Sequence, residues 1–275
     1  MKSNEAFSKK PLSYKGSIPV FSSSNEYTDN YEKISEDHLE SLRRNGTNPF
    51  ISEETWVQLE NSTMELINKY SKPGDSVLDV GVGLGRLLSH FPLLHRYGMD
   101  ISMGYLEIAH AKEINVCYAL VEDMPYKRDL FDIVICTDVL EHVADLNLCC
   151  SKILSVLKQD GVLIVRVPFR EDLNQYFMST CPYKYVHLRN FDEASLRLLF
   201  ERVFKCEFLD LVFAGYAVRP NRLKYPIRLP MRDIIFSLFF SMIKGMCQPV
   251  YEFMLKKLYY PIEINLVLRK KTEEN

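Results

Sequence analysis

Apolar and polar positions alternate along this chain in two registers. From Thr28 to Arg44 the apolar and aromatic positions Tyr31, Ile34, His38 and Leu42 fall on one stripe of a helix, and a second helical stripe runs from Ser52 to about Tyr70 through Trp56, Leu59, Met64 and Ile67. Asn45-Gly-Thr-Asn-Pro49 makes the turn between them. After Pro73-Gly74 the pattern changes to short apolar runs separated by helical stretches. Strands are predicted at Val77–Val80, Arg96–Asp100, Val116–Leu120, Phe131–Cys136 and Val162–Val167, with helices from Ser102 to Lys112 and from Asp145 to Leu157, where Gly161 acts as a stop. A capped helix follows over Asp192–Arg202, then strands at Glu207–Phe213 and Glu263–Arg269. Strand-helix alternation of this kind gives a doubly wound, mostly parallel sheet, with the last two strands as an antiparallel pair at its edge.

The division expected from these patterns is a mobile arm over 1–25, a helical lid over 26–71, an α/β core over 72–214, a helical insertion over 215–261 and a final strand and tail over 262–275. The arm is polar and lacks periodicity. The insertion is too long for a hairpin. Its run Ile234–Ile243 is strongly apolar but stops at Lys244, short of a membrane span, and Arg219, Arg222, Lys224, Arg228 and Arg232 precede it. A pocket cap, a dimer seam, a peripheral membrane contact and an ordinary packed helix all fit that composition.

The chemistry gathers at Val77-Leu-Asp-Val-Gly-Val-Gly-Leu-Gly-Arg-Leu-Leu88. Gly81, Gly83 and Gly85 free the backbone to bend sharply and to approach a ligand, and the following helix aims unpaired N–H groups into the same space. A nicotinamide-binding turn needs a third glycine where this chain has Arg86. Asp79 stands two residues before the first glycine, and Asp100 ends the next strand, at the separation where such folds set a carboxylate on ribose hydroxyls.

These residues resemble the class I methyltransferases that use S-adenosylmethionine (SAM), of the small-molecule type related to ubiquinone O-methyltransferases. The resemblance is close over about 72–170 and looser on either side. It implies a seven-stranded Rossmann-like sheet, with SAM as cofactor held by Asp79, Gly81, Gly83, Gly85, Asp100 and Ile101 and supported by Glu122, Asp123, Met124 and Thr137. Tyr27 or Tyr31 would supply a lid contact, and Tyr31 is counted with the cofactor set. In the family an acid commonly precedes Met-Pro by four residues at the adenine turn; here Leu120 stands in that place, so adenine falls to backbone groups near Val121 and Glu122 or to Asp123. The His187-Leu-Arg189 stretch resembles the roof over the acceptor in related enzymes. His142 and His187 are the candidate bases for a hydroxyl acceptor. Asp138-x-x-Glu141-His142 resembles a metal-holding arrangement seen in some relatives and more metal-free ones, so no metal is assigned.

The formal charge of −2 hides an asymmetry, with residues 215–275 at +6 and 1–214 at −8, which argues against a nucleic-acid surface over the core. Seven cysteines without a Cys-x-x-Cys pair, and an N-terminus lacking an apolar leader, fit a cytoplasmic protein. The function these features imply is methyl transfer, at oxygen, to a small or lipid-linked acceptor of sugar, glycolipid or quinone-precursor type. A non-catalytic SAM-fold interaction protein and a nucleotide-binding oxidoreductase are the alternatives.

Overall fold

The computed structural model describes residues 5–178, 181–218 and 259–271, with a few isolated positions between 242 and 250. A nine-stranded sheet runs in the order β1-β2-β5-β4-β3-β6-β7-β9-β8. Its parallel centre is β3 (Ser76–Val80), β4 (His95–Asp100), β5 (Asn115–Tyr118), β6 (Phe131–Thr137) and β7 (Leu157–Pro168). β9 (Tyr259–Arg269) pairs antiparallel with both β7 and β8 (Glu207–Val218), giving the expected edge pair. The apolar runs are explained by burial on both faces. Leu78, Val80, Val134, Cys136, Leu163 and Val165 face one core, while Val77, Ile133, Ile135, Val162 and Ile164 face the other. Of the seven cysteines, all free, five are buried and behave as small apolar side chains.

The helices flank the sheet: α1 (Glu26–Asn45), α2 (Glu53–Tyr70), α3 (Arg86–Ser89), α4 (Met103–Ala111), α5 (Leu146–Val156) and α6 (Glu193–Arg197). Capping decides their starts. Asn25 and Thr28 form a capping box for α1, and Ser52, Ser102, Asp145 and Asp192 each accept a backbone N–H at the start of α2, α4, α5 and α6. α6 is shorter than the helix expected over 192–202, because a π-helical turn takes over at Leu198–Val203. The last core strand begins at Leu157, before Gly161.

Two expectations need correction at the chain's N-terminal end. The arm expected to be mobile over 1–25 packs on the core and adds to the sheet: β1 (Ser13–Lys15) and β2 (Ile18–Val20) form a hairpin whose second strand pairs parallel with β5. Ala6, Ile18 and Phe21 are buried, and the Phe7 ring stacks on Tyr126 with centroids 5.2 Å apart. Three-residue strands are too short to display a period, so their apolar pairs vanish into a polar average. With this hairpin the sheet has nine strands where seven were expected. The insertion also contracts, since β8 continues to Val218 and β9 starts at Tyr259; the basic and apolar stretch from Arg219 to Ile243, with its capping, dimer and membrane readings, lies almost wholly outside the described residues. Among the described residues no helix is long and apolar enough to cross a membrane.

α2 buries Leu59, Leu66 and Ile67 against the sheet, each contributing roughly 1.5–3 kcal/mol. Arg86 fixes its register over the glycine turn: the guanidinium forks onto Glu60 at 2.8 and 2.9 Å, reaches Glu53 at 3.1 Å, and lies 3.7 Å from the centre of the Trp56 ring. The residue that excludes a nicotinamide turn thus staples α2 to α3. Arg86→Ala is expected to lower stability by about 1–3 kcal/mol, read as a lower urea midpoint with an unchanged slope.

Candidate active site

The carboxyl ends of β3, β4 and β6 converge on the turn Gly81–Gly85. Gly81 (φ 79°) packs so tightly on the Val139 side chain that a Cβ would overlap it, so the turn and the segment after β6 are held in contact. Gly83 (φ 48°) differs. A Cβ there would meet nothing within 4 Å, so its bare backbone faces open space suited to a ligand. Gly85 closes the turn as the residue before α3, against Ile114 and Ala109.

Asp79 lies at the base of this turn, 2% exposed, with Oδ1 lacking any hydrogen-bond partner. Burial raises its pKa well above the usual carboxylate range, opposed by the positive charge of Arg166. A buried, unpaired carboxylate is costly unless a cationic group arrives to meet it. Asp100 accepts the Gly83 N–H on Oδ2 and the Ser102 N–H on Oδ1, each at 2.9 Å, with the Ile101 N–H adding to them, and a carboxylate with three such donors still has acceptor capacity left. Burial pushes its pKa up to about 6 despite those bonds. The side chain of Ile101, partly buried, packs against the apolar core.

At the adenine turn, Met124 is buried, Glu122 is partly exposed, and Asp123 is already engaged: its Oδ2 accepts the Ser22 hydroxyl at 2.7 Å while Ser22 Oγ accepts the Leu120 N–H at 2.9 Å. Ser22 was hidden from sequence reasoning inside a polar serine run. Leu120 sits where a carboxylate is common, and its backbone is tied instead to the N-terminal segment.

The second half of the site follows β6. Thr137 is half-buried at the strand end, and Asp138 takes a left-handed conformation (φ 56°) with Oδ2 on Arg166 Nη2 at 2.5 Å. Arg166 is itself buried, donating also to Leu59 O and Thr63 Oγ1 of α2 and lying 2.6 Å from Glu263 as an ion pair. Nothing in the apolar run Val162–Val167 marked it as more than a strand residue. The roof segment comes down on the same loop: Arg189 donates to the carbonyls of Leu140, Val143 and Ala144, and Leu188 N–H donates to Glu141 O. This brings His187 beside His142, ring centroids 4.5 Å apart and nearly perpendicular. Tyr31, counted with the cofactor set, shares a 2.9 Å hydrogen bond with His142 Nδ1, which puts its hydroxyl on the histidine pair; Tyr27 packs against it. His187 Nδ1 pairs with Glu171 at 2.5 Å. Burial, then the neighbouring His187, lowers the His142 pKa to about 3, so His142 stays neutral but is too weak a base to take a hydroxyl proton readily. His38, by contrast, is a core residue bonded to Tyr105 at 2.6 Å.

Residues 78–165 match the family model described as a methyltransferase domain. Over those residues the chain is similar to methyltransferase domains. An uncharacterised protein of Methanocaldococcus jannaschii is 35% identical over 109 residues, which are 39% of this chain and 48% of that protein. A ubiquinone biosynthesis O-methyltransferase of Bartonella quintana is 33% identical over 97 residues, 32% of this chain and 39% of that one. The chain therefore spans about half or less of the length of these curated relatives. A solved Thermotoga maritima structure, titled a SAM-dependent methyltransferase and possible histamine N-methyltransferase, superposes with a TM-score of 0.55 at 16% identity, covering 89% of this chain and 100% of that one.

SAM is the cofactor of this domain family, and the residues present fit it. Asp79 offers an unpartnered carboxylate for an ammonium, Gly83 an open backbone, and Asp100 spare acceptor capacity for ribose hydroxyls. Asp79 also makes a prediction with two signs. Its raised pKa means the folded chain holds a proton that the unfolded chain has already lost, so stability of the cofactor-free protein falls as pH climbs from the unfolded carboxylate value toward the folded one. Asp79→Asn is expected to flatten that fall and raise the thermal midpoint at neutral pH, while weakening SAM binding by at least about 30-fold, the loss of one buried charge pair. Thermal melts against pH and calorimetric titration with SAM check the two signs.

Proposed function

We propose that this chain transfers a methyl group from SAM to an oxygen of a small or lipid-linked acceptor. The observation that carries the reading is the buried carboxylate of Asp79, unpartnered on Oδ1, at the end of the strand that leads into the turn with the open Gly83 backbone, a combination with little purpose unless a cationic, sugar-bearing ligand completes it. When bound, SAM supplies a methyl group on a positively charged sulfur, and that charge disappears on transfer. The protein then needs alignment and exclusion of water more than it needs an electrophile, and fixing both reactants can lower the barrier by about 7–11 kcal/mol.

The chain's own residues divide between the two reactants. Asp79, Asp100 and the glycine turn hold the donor. Val139, in contact with Gly81, joins that turn to the loop bearing Glu141 and His142, and Arg189 holds the roof down so that His187 closes the acceptor side. Loss of the proton from an acceptor hydroxyl belongs to this second group, with Glu171 orienting His187 through its Nδ1. Oxygen as the methylated atom is supported by the O-methyltransferase among the relatives, and a lipid-linked sugar or quinone precursor by the basic and apolar composition of 219–258. An oxidoreductase reading has less support, because Arg86 is fully occupied by Glu53, Glu60 and Trp56.

Calorimetric titration with SAM and S-adenosylhomocysteine should show one saturable site, and incubation with labelled methyl donor and fractionated cell lipids and metabolites should label an acceptor. Binding without any labelling would favour the interaction-protein alternative; no binding of either compound would overturn the reading. His187→Ala is expected to cut kcat by about 10²–10⁴-fold with SAM affinity unchanged, a split that single-turnover and equilibrium measurements separate.

A further inference from the structure

The parts of the donor step across neighbouring strands. With Asp79 near the end of β3 taking the ammonium and Asp100 at the end of β4 the ribose, the base falls at the end of the next strand, β5, where a single 3-10 turn covers Val121–Asp123. An adenine amine asks that turn for an acceptor, and the Leu120 side chain has none to give. The N-terminal segment grips the same turn at both ends. At its start the Phe21 N–H donates to Tyr118 O and the Leu120 N–H to Ser22 Oγ, both at 2.9 Å. At its close the Ser8 N–H and hydroxyl both donate to Pro125 O, and the Lys127 N–H donates to Ala6 O at 3.0 Å. Ser22 is 2% exposed, and Ala6 and Phe21 are buried with it.

We propose that Ser22, just after the N-terminal hairpin, is a positioning residue of the cofactor site: it holds the Asp123 carboxylate as the acceptor for the adenine amine, in place of the acid that Leu120 does not supply. The proposal rests on the methyl-transfer reading above. The Ser22 hydroxyl gives its one proton to Asp123 Oδ2 at 2.7 Å while its oxygen takes the Leu120 N–H, so both of its roles are filled and the proton has a single direction. That bond ties Asp123, partly buried, back to the Leu120 end of the turn and leaves Oδ1 without a hydrogen-bond partner among the described residues. An ionised carboxylate only accepts. Asp123 therefore welcomes the amino group of adenine and disfavours the oxo group of hypoxanthine, whose lone pairs meet the same negative charge. The two partners lie 101 residues apart in the chain, so a segment outside the strand-turn-helix cradle takes part in choosing the base.

The test is calorimetric titration of the full-length protein with S-adenosylhomocysteine and with its deaminated counterpart, S-inosylhomocysteine. The wild type is expected to prefer the adenosyl compound by about 10–100-fold, the worth of one hydrogen bond to a charged group. Asp123→Asn, whose amide can donate to the oxo group, and Ser22→Ala should both bring that ratio close to one, whereas Ser22→Thr, which keeps the hydroxyl, should preserve it. The ratio is the deciding readout, because a purely structural loss at this contact weakens both compounds alike and leaves it unmoved. Ser17→Ala cuts a 2.7 Å contact between the same hairpin and His110 of α4, and should keep the wild-type ratio. Circular dichroism establishes that each variant is folded; if Ser22→Ala is not, Ser22→Cys, close in size and a poor donor, takes its place. A wild type without preference, or a ratio that stays at the wild-type value in Asp123→Asn or in the folded Ser22 variant, overturns the proposal and leaves SAM binding standing. Binding of neither compound removes the methyl-transfer reading, and the role of Ser22 with it.

Discussion

The architecture turns on carboxylates buried where parallel strands end. Asp79 on β3, Asp100 on β4 and Asp138 at the end of β6 lie where parallel strands of one sheet end, and Asp79 feels the negative charge of both others in a medium that screens poorly. Their solutions differ. Asp138 pairs with Arg166, which it shares with Glu263, Asp100 is held by backbone N–H groups, and Asp79 is left without a partner on Oδ1. A sheet that keeps one acid unpaired at its centre retains a cost in the ligand-free state, and that cost becomes selectivity for a cationic ligand.

Arg166 connects this edge to the rest of the molecule. Its guanidinium meets Asp138 after β6, Glu263 on β9 and the Leu59–Thr63 turn of α2, so three elements far apart in sequence meet at one buried charge. Asn265 adds to the same layer by bonding Thr63 and Ser62 of α2. α1 is fastened in parallel on the other side of the cleft, where Glu32 accepts the Met103 N–H, Ser35 meets Ser102, and His38 meets Tyr105. The helical segment that resembles a lid is therefore a packed wall, and its Tyr31 reaches the histidine pair from that fixed base.

The glycine turn, the two acids in register and the alternation of strands and helices were legible because each is local: a strand end, a turn and a helix start lie within a dozen residues, and their side-chain chemistry repeats at fixed offsets. Helix starts at Ser52, Ser102, Asp145 and Asp192 were legible for the same reason, since a cap is a contact within one turn. The hairpin at 13–20 was not, because strands of three residues have no measurable period and hold only through pairing with β5, a hundred residues away.

What the sequence determined by itself was the class of sheet, the donor turn and the residue types able to grip a sulfonium amino acid and a ribose. Tertiary structure alone decided which acids are compensated and which groups meet at the acceptor side. Arg166 reads as one more position in an apolar strand, and Tyr31, Glu141, His142, Glu171 and His187 come from four separate segments. Electrostatic pairing and ligand convergence depend on distances across the fold, which chain spacing cannot encode once a loop or a strand intervenes.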